Sequence, residues 1–154
     1  MKKLFLSLAF ALLAAGCGGS GGDDGGTDFI PTDPSQVDIQ FTYNTIVEGT
    51  GAEVFLGRTV STNFELWLFD PNGPDGKGKR IQGSSDAGVG PIGFTVGTGQ
   101  VVTGYDQGVI GMKVGGKRRI YVPWQFGYGA AGSSAGGIPP YAALVFEIEL
   151  LEVK

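Results

Sequence analysis

Residues 143–150 read ALVFEIEL, and this stretch decides the fold class. Large apolar side chains stand at every second position, with Val145, Glu147 and Glu149 between them. Successive side chains of a β-strand point to opposite faces, so the pattern predicts a strand with one buried face and one largely solvated face. Such a strand is typical of an antiparallel sheet. The apolar positions are Leu144, Phe146, Ile148 and Leu150.

Upstream segments predict four further strands and one helix. Residues 100–110 predict a short helix, because their apolar side chains recur at helical spacing on one face: Val101, Val102, Tyr105 and Val109. Residues 70–78 read DPNGPDGKG, which predicts a loop. The elements together predict an α+β domain in which a mainly antiparallel sheet packs on one short helix. The other strand-like segments are 40–47, 58–69, 92–96 and 118–123.

The N-terminal residues read MKKLFLSLAFALLAAGC, which is the pattern of a targeting signal. Two lysines precede an apolar stretch of 12 residues, 4–15. This stretch is too short to span a bilayer comfortably and fits the hydrophobic part of a signal peptide. Its end, residues 13–17, resembles a bacterial lipobox. The resemblance implies that residues 1–16 are a lipoprotein signal peptide and that Cys17 is lipidated and anchors the chain to a membrane.

Residues 17–36 are predicted to be the lipidated cysteine and a flexible tether, and residues 37–154 the folded domain. Residues 18–26 read GGSGGDDGG, which has linker composition. Gly18 rather than aspartate follows the cysteine. By resemblance to enteric lipoproteins, this favours the outer membrane and periplasm over the inner membrane within the bacterial cell envelope. A lone domain on a tether favours a monomer.

The composition excludes several function classes. The chain has no histidine and a single cysteine, so histidine-dependent catalysis, histidine-ligated metals and cysteine zinc clusters are excluded. The formal net charge is −4, so the chain has no general attraction for nucleic acid. A basic cluster at residues 113–119 is interpreted as the solvated face of a turn and strand. Paired acidic residues such as Glu147 and Glu149 lie on the face predicted to be solvated, so glycosidase chemistry is unsupported.

Several aromatic and apolar motifs occur in a fixed order in the second half of the chain. Residues 97–114 read GTGQVVTGYDQGVIGMKV; Tyr128-Gly129, Ile138-Pro139-Pro140 and Leu144-Val145-Phe146 follow. In order and spacing the segment resembles FKBP-type peptidyl-prolyl cis–trans isomerases over about residues 40–154. The resemblance implies the FKBP fold, in which an antiparallel sheet wraps around one short α-helix. It also implies an isomerase (rotamase) that acts on X-Pro-containing polypeptides, binds macrolide ligands and needs no cofactor or metal.

The resemblance also implies which residues form the proline pocket. Tyr105 corresponds to the aromatic floor, where tryptophan is commoner in the family. The backbone N–H of Val102 corresponds to a donor to a substrate carbonyl, and Tyr128 to a tyrosine whose hydroxyl donates to the ligand. The remaining pocket residues implied are Phe64, Ile92, Val101, Ile138 and Phe146.

Two positions depart from the family pattern. The family commonly has Phe-Asp where this chain has Gln82-Gly83, so a pocket phenylalanine and an aspartate are missing unless Ile81 fills the space. Phe64 also lacks the hydroxyl that normally pairs with that aspartate. Because both partners are absent, no buried polar group is orphaned.

Three functions therefore remain open. The first is an isomerase that assists folding of envelope or secreted proteins. The second is an FKBP-fold binding or chaperone lipoprotein that isomerises poorly, which Gln82 and Gly83 favour. The third is a structural surface lipoprotein with an unrelated β-domain, in which the aromatic side chains only form the core.

Overall fold

The computed structural model describes residues 33–154. The predicted signal peptide, Cys17 and the predicted tether as far as residue 32 lie outside the described residues. Ser35 and Gln36, at the end of the predicted tether, contact the domain that was predicted to begin at residue 37. Ser35 is fully buried and its carbonyl accepts a hydrogen bond of 2.7 Å from the Ala143 N–H. The side chain of Gln36 donates to the Pro140 carbonyl at 2.9 Å.

Within residues 33–154, six strands form one antiparallel sheet. They are β1 (Thr42–Val47), β2 (Thr59–Phe69), β3 (Lys77–Gly83), β4 (Ile92–Thr95), β5 (Lys117–Val122) and β6 (Leu144–Val153). Their order is β1-β5-β6-β2-β3, and β4 pairs with β2. This confirms the predicted antiparallel α+β fold. Strands β2 and β6 are central, and their inward side chains form the core with those of the helix.

Strand β3 was not predicted. It begins at Lys77, so the loop predicted for residues 70–78 ends at residue 76. A short 3₁₀ helix covers Pro74–Gly76. The sequence of β3 reads KGKRIQG and has no alternation of apolar residues, because this edge strand is only partly buried. The strand is defined by its pairing with the preceding strand β2, from Phe69↔Lys77 to Glu65↔Gly83.

The helix α1 (Thr103–Val109) is shorter than the predicted span of 100–110. Val102 is its N-cap residue and has an extended backbone. Two glycines let the helix lie directly on β5: a Cβ at Gly104 would overlap the Val122 side chain, and one at Gly108 would overlap Ile120. This close approach places Tyr105, on the buried face of α1, beneath the sheet. Within residues 33–154, no helix is long and apolar enough to cross a bilayer.

The outward face of β6 is not largely solvated, contrary to the sequence prediction. Val145 is fully buried and Glu147 is 9% exposed. Cationic side chains from β3 and β5 cover the Glu147 carboxylate: Lys77, Lys117 and Arg119 all form ion pairs with it. Burial alone would raise the pKa of Glu147, but the hydrogen bonds from Lys77 and Arg119 lower this pKa to about 2.

The basic cluster at 113–119 is likewise more than a solvated face. Arg118 is only 8% exposed. Its guanidinium donates to the carbonyls of Gly108 and Ile110, at 2.8 and 2.9 Å, and stacks on the ring of Tyr43. The interpretation as solvated surface was wrong for Arg118 because a cation at a helix C-terminus satisfies carbonyl groups that the helix itself leaves unpaired.

Candidate active site

An apolar cavity of about 300 Å³ opens between β2, the end of β3 and the N-terminal end of α1. Seven of the eight pocket residues predicted from the sequence line it: Phe64, Ile92, Val101, Val102, Tyr105, Tyr128 and Phe146. The cavity is also lined by Leu66 and Gln100, which were not among the predicted pocket residues. Ile138 does not line the cavity: it is 4% exposed and belongs to the core, where its backbone pairs with Ser133. No charged side chain stands among the lining residues.

Tyr105 lies at the centre of an aromatic cluster. Its ring meets those of Phe146, Phe94 and Phe64 edge to face, with centroids 5.2, 5.6 and 6.5 Å apart. The side chain is 2% exposed. Its hydroxyl shares a hydrogen bond of 2.8 Å with the buried hydroxyl of Thr62 on β2. Burial raises the pKa of Tyr105 well above its ordinary value, so the phenol stays neutral and the cavity floor carries no charge.

Two hydrogen-bond donors of residues that line the cavity have no partner within residues 33–154. The Val102 N–H precedes α1, and no acceptor within residues 33–154 pairs with it. The hydroxyl of Tyr128 has no hydrogen-bond partner among the same residues, and this side chain is 39% exposed. Desolvation raises the pKa of Tyr128, so its hydroxyl remains a neutral donor at physiological pH. Both donors are available to carbonyl groups of a bound chain.

Gln82 occupies the cavity wall at the position where the family commonly has phenylalanine. Ile81 packs against the core and is not among the lining residues, so it does not replace the missing ring. Gly83 faces away from the cavity. A Cβ there would overlap the carboxylate of Glu65, which forms an ion pair with Arg80 at 2.6 Å. Any side chain at residue 83 would therefore have to displace Glu65.

The comparisons with known proteins agree with this geometry. Residues 51–151 match the family described as FKBP-type peptidyl-prolyl cis-trans isomerase. The chain belongs to the FKBP-type isomerase family. An FK506-binding protein of Neisseria meningitidis serogroup A is 42% identical over 106 residues, which are 69% of this chain and 89% of that protein. FK506-binding protein 1 of Aspergillus oryzae is 34% identical over 111 residues, 71% of this chain and 94% of its own length.

Solved structures of FKBP-type proteins share the fold. The crystal structure of AtFKBP13 matches with a TM-score of 0.62 and 29% identity, over 74% of this chain and 93% of that one. FkpA from Escherichia coli matches with a TM-score of 0.61 and 33% identity, over 74% of this chain and 48% of that one. The resemblance inferred from the motifs at 97–146 is therefore confirmed at the level of family, fold and peptidyl-prolyl isomerase class.

Proposed function

We propose that this FKBP-type isomerase rotates X-Pro bonds of envelope and secreted polypeptides with the proline ring held in the cavity above Tyr105. One observation carries the proposal: an uncharged, aromatic-floored cavity has two free donors, the Val102 N–H and the Tyr128 hydroxyl, at its edge. This arrangement suits an apolar ring flanked by peptide carbonyls. FK506-type macrolides, which present similar groups, are expected to compete for the same cavity.

The chemistry requires no acid, base or cofactor. Rotation about a peptide C–N bond faces a barrier of about 18–20 kcal/mol because resonance keeps the amide planar. The twisted transition state has less charge separation than the planar amide. An uncharged cavity therefore disfavours the planar dipole relative to the twisted form. Donation from Val102 and Tyr128 fixes the flanking carbonyls in the twisted geometry, so the transition state is bound more tightly than the substrate.

The side walls of the cavity have separate roles in this proposal. Phe146 and Ile92 enclose the proline ring, while Phe64 supports the edge of the Tyr105 ring. Val101 precedes the Val102 donor and covers the cavity next to it. A rate gain of about 10⁴ needs only about 5.5 kcal/mol of differential stabilisation, which a few such contacts can supply.

The predicted signal peptide and Cys17 indicate where the isomerase would act. A lipid anchor at Cys17, followed by a polar tether, would hold the isomerase at the bacterial cell envelope, on the outer membrane or its periplasmic side. Palmitate labelling of the expressed full chain tests this proposal, with Cys17→Ser as the matched variant. If the wild type carries no label, or if Cys17→Ser is labelled as well, the proposed lipid anchor at Cys17 is refuted.

Isomerase activity of the full chain on a short Leu-Pro peptide, in a protease-free assay with and without FK506, tests the catalytic proposal. We expect inhibitable catalysis, and Tyr128→Phe is expected to lower kcat/KM by about tenfold, the value of one hydrogen bond made in the transition state. Tyr43→Phe is the matched control because Tyr43 is 50% exposed and lies under Arg118, away from the cavity. An equal kcat/KM for Tyr128→Phe and the wild type would show that the Tyr128 hydroxyl has no role in catalysis.

A second candidate function is a binding or chaperone lipoprotein that isomerises weakly. Gln82 favours it, because a polar, flexible amide replaces part of the aromatic wall. The discriminating variant is Gln82→Phe. If the wild type binds X-Pro peptides but turns them over slowly, and Gln82→Phe restores turnover, the binding function is supported. If both turn over rapidly, it is excluded.

A further inference from the structure

The loop before β2 carries two large apolar side chains in water. Phe55 is 57% exposed and Leu56 is 70% exposed, and we call this pair the apolar tip. The tip is not loose chain. Val54 before it is fully buried, and the Gly57 N–H after it donates to the Val96 carbonyl at 2.9 Å. A tight turn, in which the Arg58 N–H donates to the Phe55 carbonyl, therefore holds both side chains outward.

The apolar tip adjoins the loop that forms one wall of the proline cavity. Leu56 lies over Gly97, where its Cδ2 would be 3.0 Å from an added Cβ. The Gly97 N–H donates to both carboxylate oxygens of Asp106, at 2.8 and 3.0 Å. Three residues further on, Gln100 lines the cavity, and its side-chain oxygen accepts a hydrogen bond of 2.8 Å from the Thr95 N–H. The loop at 97–100 thus contacts the apolar tip at Gly97 and lines the cavity at Gln100.

The distance between the apolar tip and the cavity can be spanned by a few residues of an extended polypeptide. Gly97 and Gln100 are three residues apart, so their separation is at most about 11 Å. With the width of the cavity added, a chain bound at about 3.3 Å per residue would reach the tip about four to six residues from its proline. Unfolded polypeptides offer apolar side chains at such distances, whereas a tetrapeptide does not.

We propose that the apolar tip is an extension of the proline cavity that binds an apolar side chain of an unfolded client, about four to six residues from the X-Pro bond. The inference rests on the proposed isomerase function and assigns it a substrate class: unfolded segments in which proline is followed or preceded at that distance by a large apolar residue. Continuity with the cavity is the reason to assign the tip to a client chain, since exposed apolar surface of this kind commonly marks a contact site.

The test compares substrates of two lengths on the full chain. One is a Leu-Pro tetrapeptide; the others are 14-residue peptides with leucine placed five residues before or after the proline, each paired with a version that has serine there. We expect Phe55→Ser/Leu56→Ser to raise KM for one of the leucine peptides by about three- to tenfold. The kcat/KM of this double variant for the tetrapeptide is expected to match that of the wild type. Leu151→Ser, which removes a 39% exposed leucine from β6, is the control and should change neither value.

The outcomes separate the two proposals. If the wild type does not isomerise the tetrapeptide, the catalytic function fails, and the tip is then judged by equilibrium binding of the labelled leucine peptides. Equal affinity of wild type and tip variant for every peptide, or equal losses for long and short substrates, overturns the tip assignment. Tip-dependent binding to phosphatidylglycerol vesicles, or tip-dependent dimerisation, without any effect on the leucine peptides also overturns it, in favour of a lipid surface or a second copy.

Discussion

The buried hydroxyl pair of Thr62 and Tyr105 offers a sharp test of how the cavity floor is held. Thr62 is fully buried, Tyr105 is 2% exposed, and their oxygens are 2.8 Å apart. Thr62→Val removes one partner with little change of shape and leaves the phenol in a dry site without a hydrogen bond. Tyr105→Phe does the reverse and orphans the Thr62 hydroxyl.

The magnitude follows from the asymmetry of buried hydrogen bonds. Leaving one buried polar group without a partner costs about 1–3 kcal/mol, whereas removing both partners is nearly neutral. Each single variant is therefore expected to lower the free energy of unfolding by about 1–3 kcal/mol. The double variant, Thr62→Val with Tyr105→Phe, is expected to lie closer to the wild type than the more destabilised single variant.

Urea unfolding of the four proteins, followed by tryptophan fluorescence, measures the cycle. With a slope of about 1–3 kcal/mol per molar urea, a loss of about 2 kcal/mol shifts the midpoint by roughly 1 M. If the double variant is as unstable as the two single losses added together, the hydroxyls are not coupled and the reasoning is refuted. Because the ring remains in Tyr105→Phe, its isomerase activity should stay within a few-fold of the wild type.

Three further predictions follow from contacts around the sheet and the helix. The pKa of Glu147 is lowered from its ordinary 4.5 to about 2, so its contribution to stability is complete above pH 4.5 and is lost as the pH falls towards 2. Urea midpoints measured between pH 7 and pH 2 should therefore vary less with pH in Glu147→Gln than in the wild type. Gly104→Ala should destabilise the protein by about 1–3 kcal/mol because its Cβ would overlap Val122, whereas Ala at the exposed Gln107 of the same helix should not. Arg118→Ala should cost about 2 kcal/mol in thermal or urea unfolding, since two carbonyls at the end of α1 lose a charged donor; an equal stability for wild type and Arg118→Ala would contradict this.

The sequence alone was sufficient for the fold class and for most of the cavity. Alternation along β6 and the helical spacing of Val102, Tyr105 and Val109 are local signals, since burial of one face leaves a period in the chain itself. The ordered motifs from Gly97 to Phe146 indicated the family because several short patterns in a fixed order are far more specific than any one of them. Seven of eight predicted cavity residues lie where the motifs imply.

Only the tertiary structure decided how polar groups are paired and what the departures from the family do. Glu147 and Arg118 read as surface residues in the sequence, yet both are buried, because their partners come from other elements of the fold. Apolar residues do not alternate along β3, so the strand is recognised only from its pairing with β2 in the structure. Likewise, whether Gln82 or Ile81 would take the place of the missing phenylalanine depended on the register of β3 against β2. This register shifts between Leu66 and Trp67 and again between Trp67 and Phe69, and no local sequence signal determines such shifts.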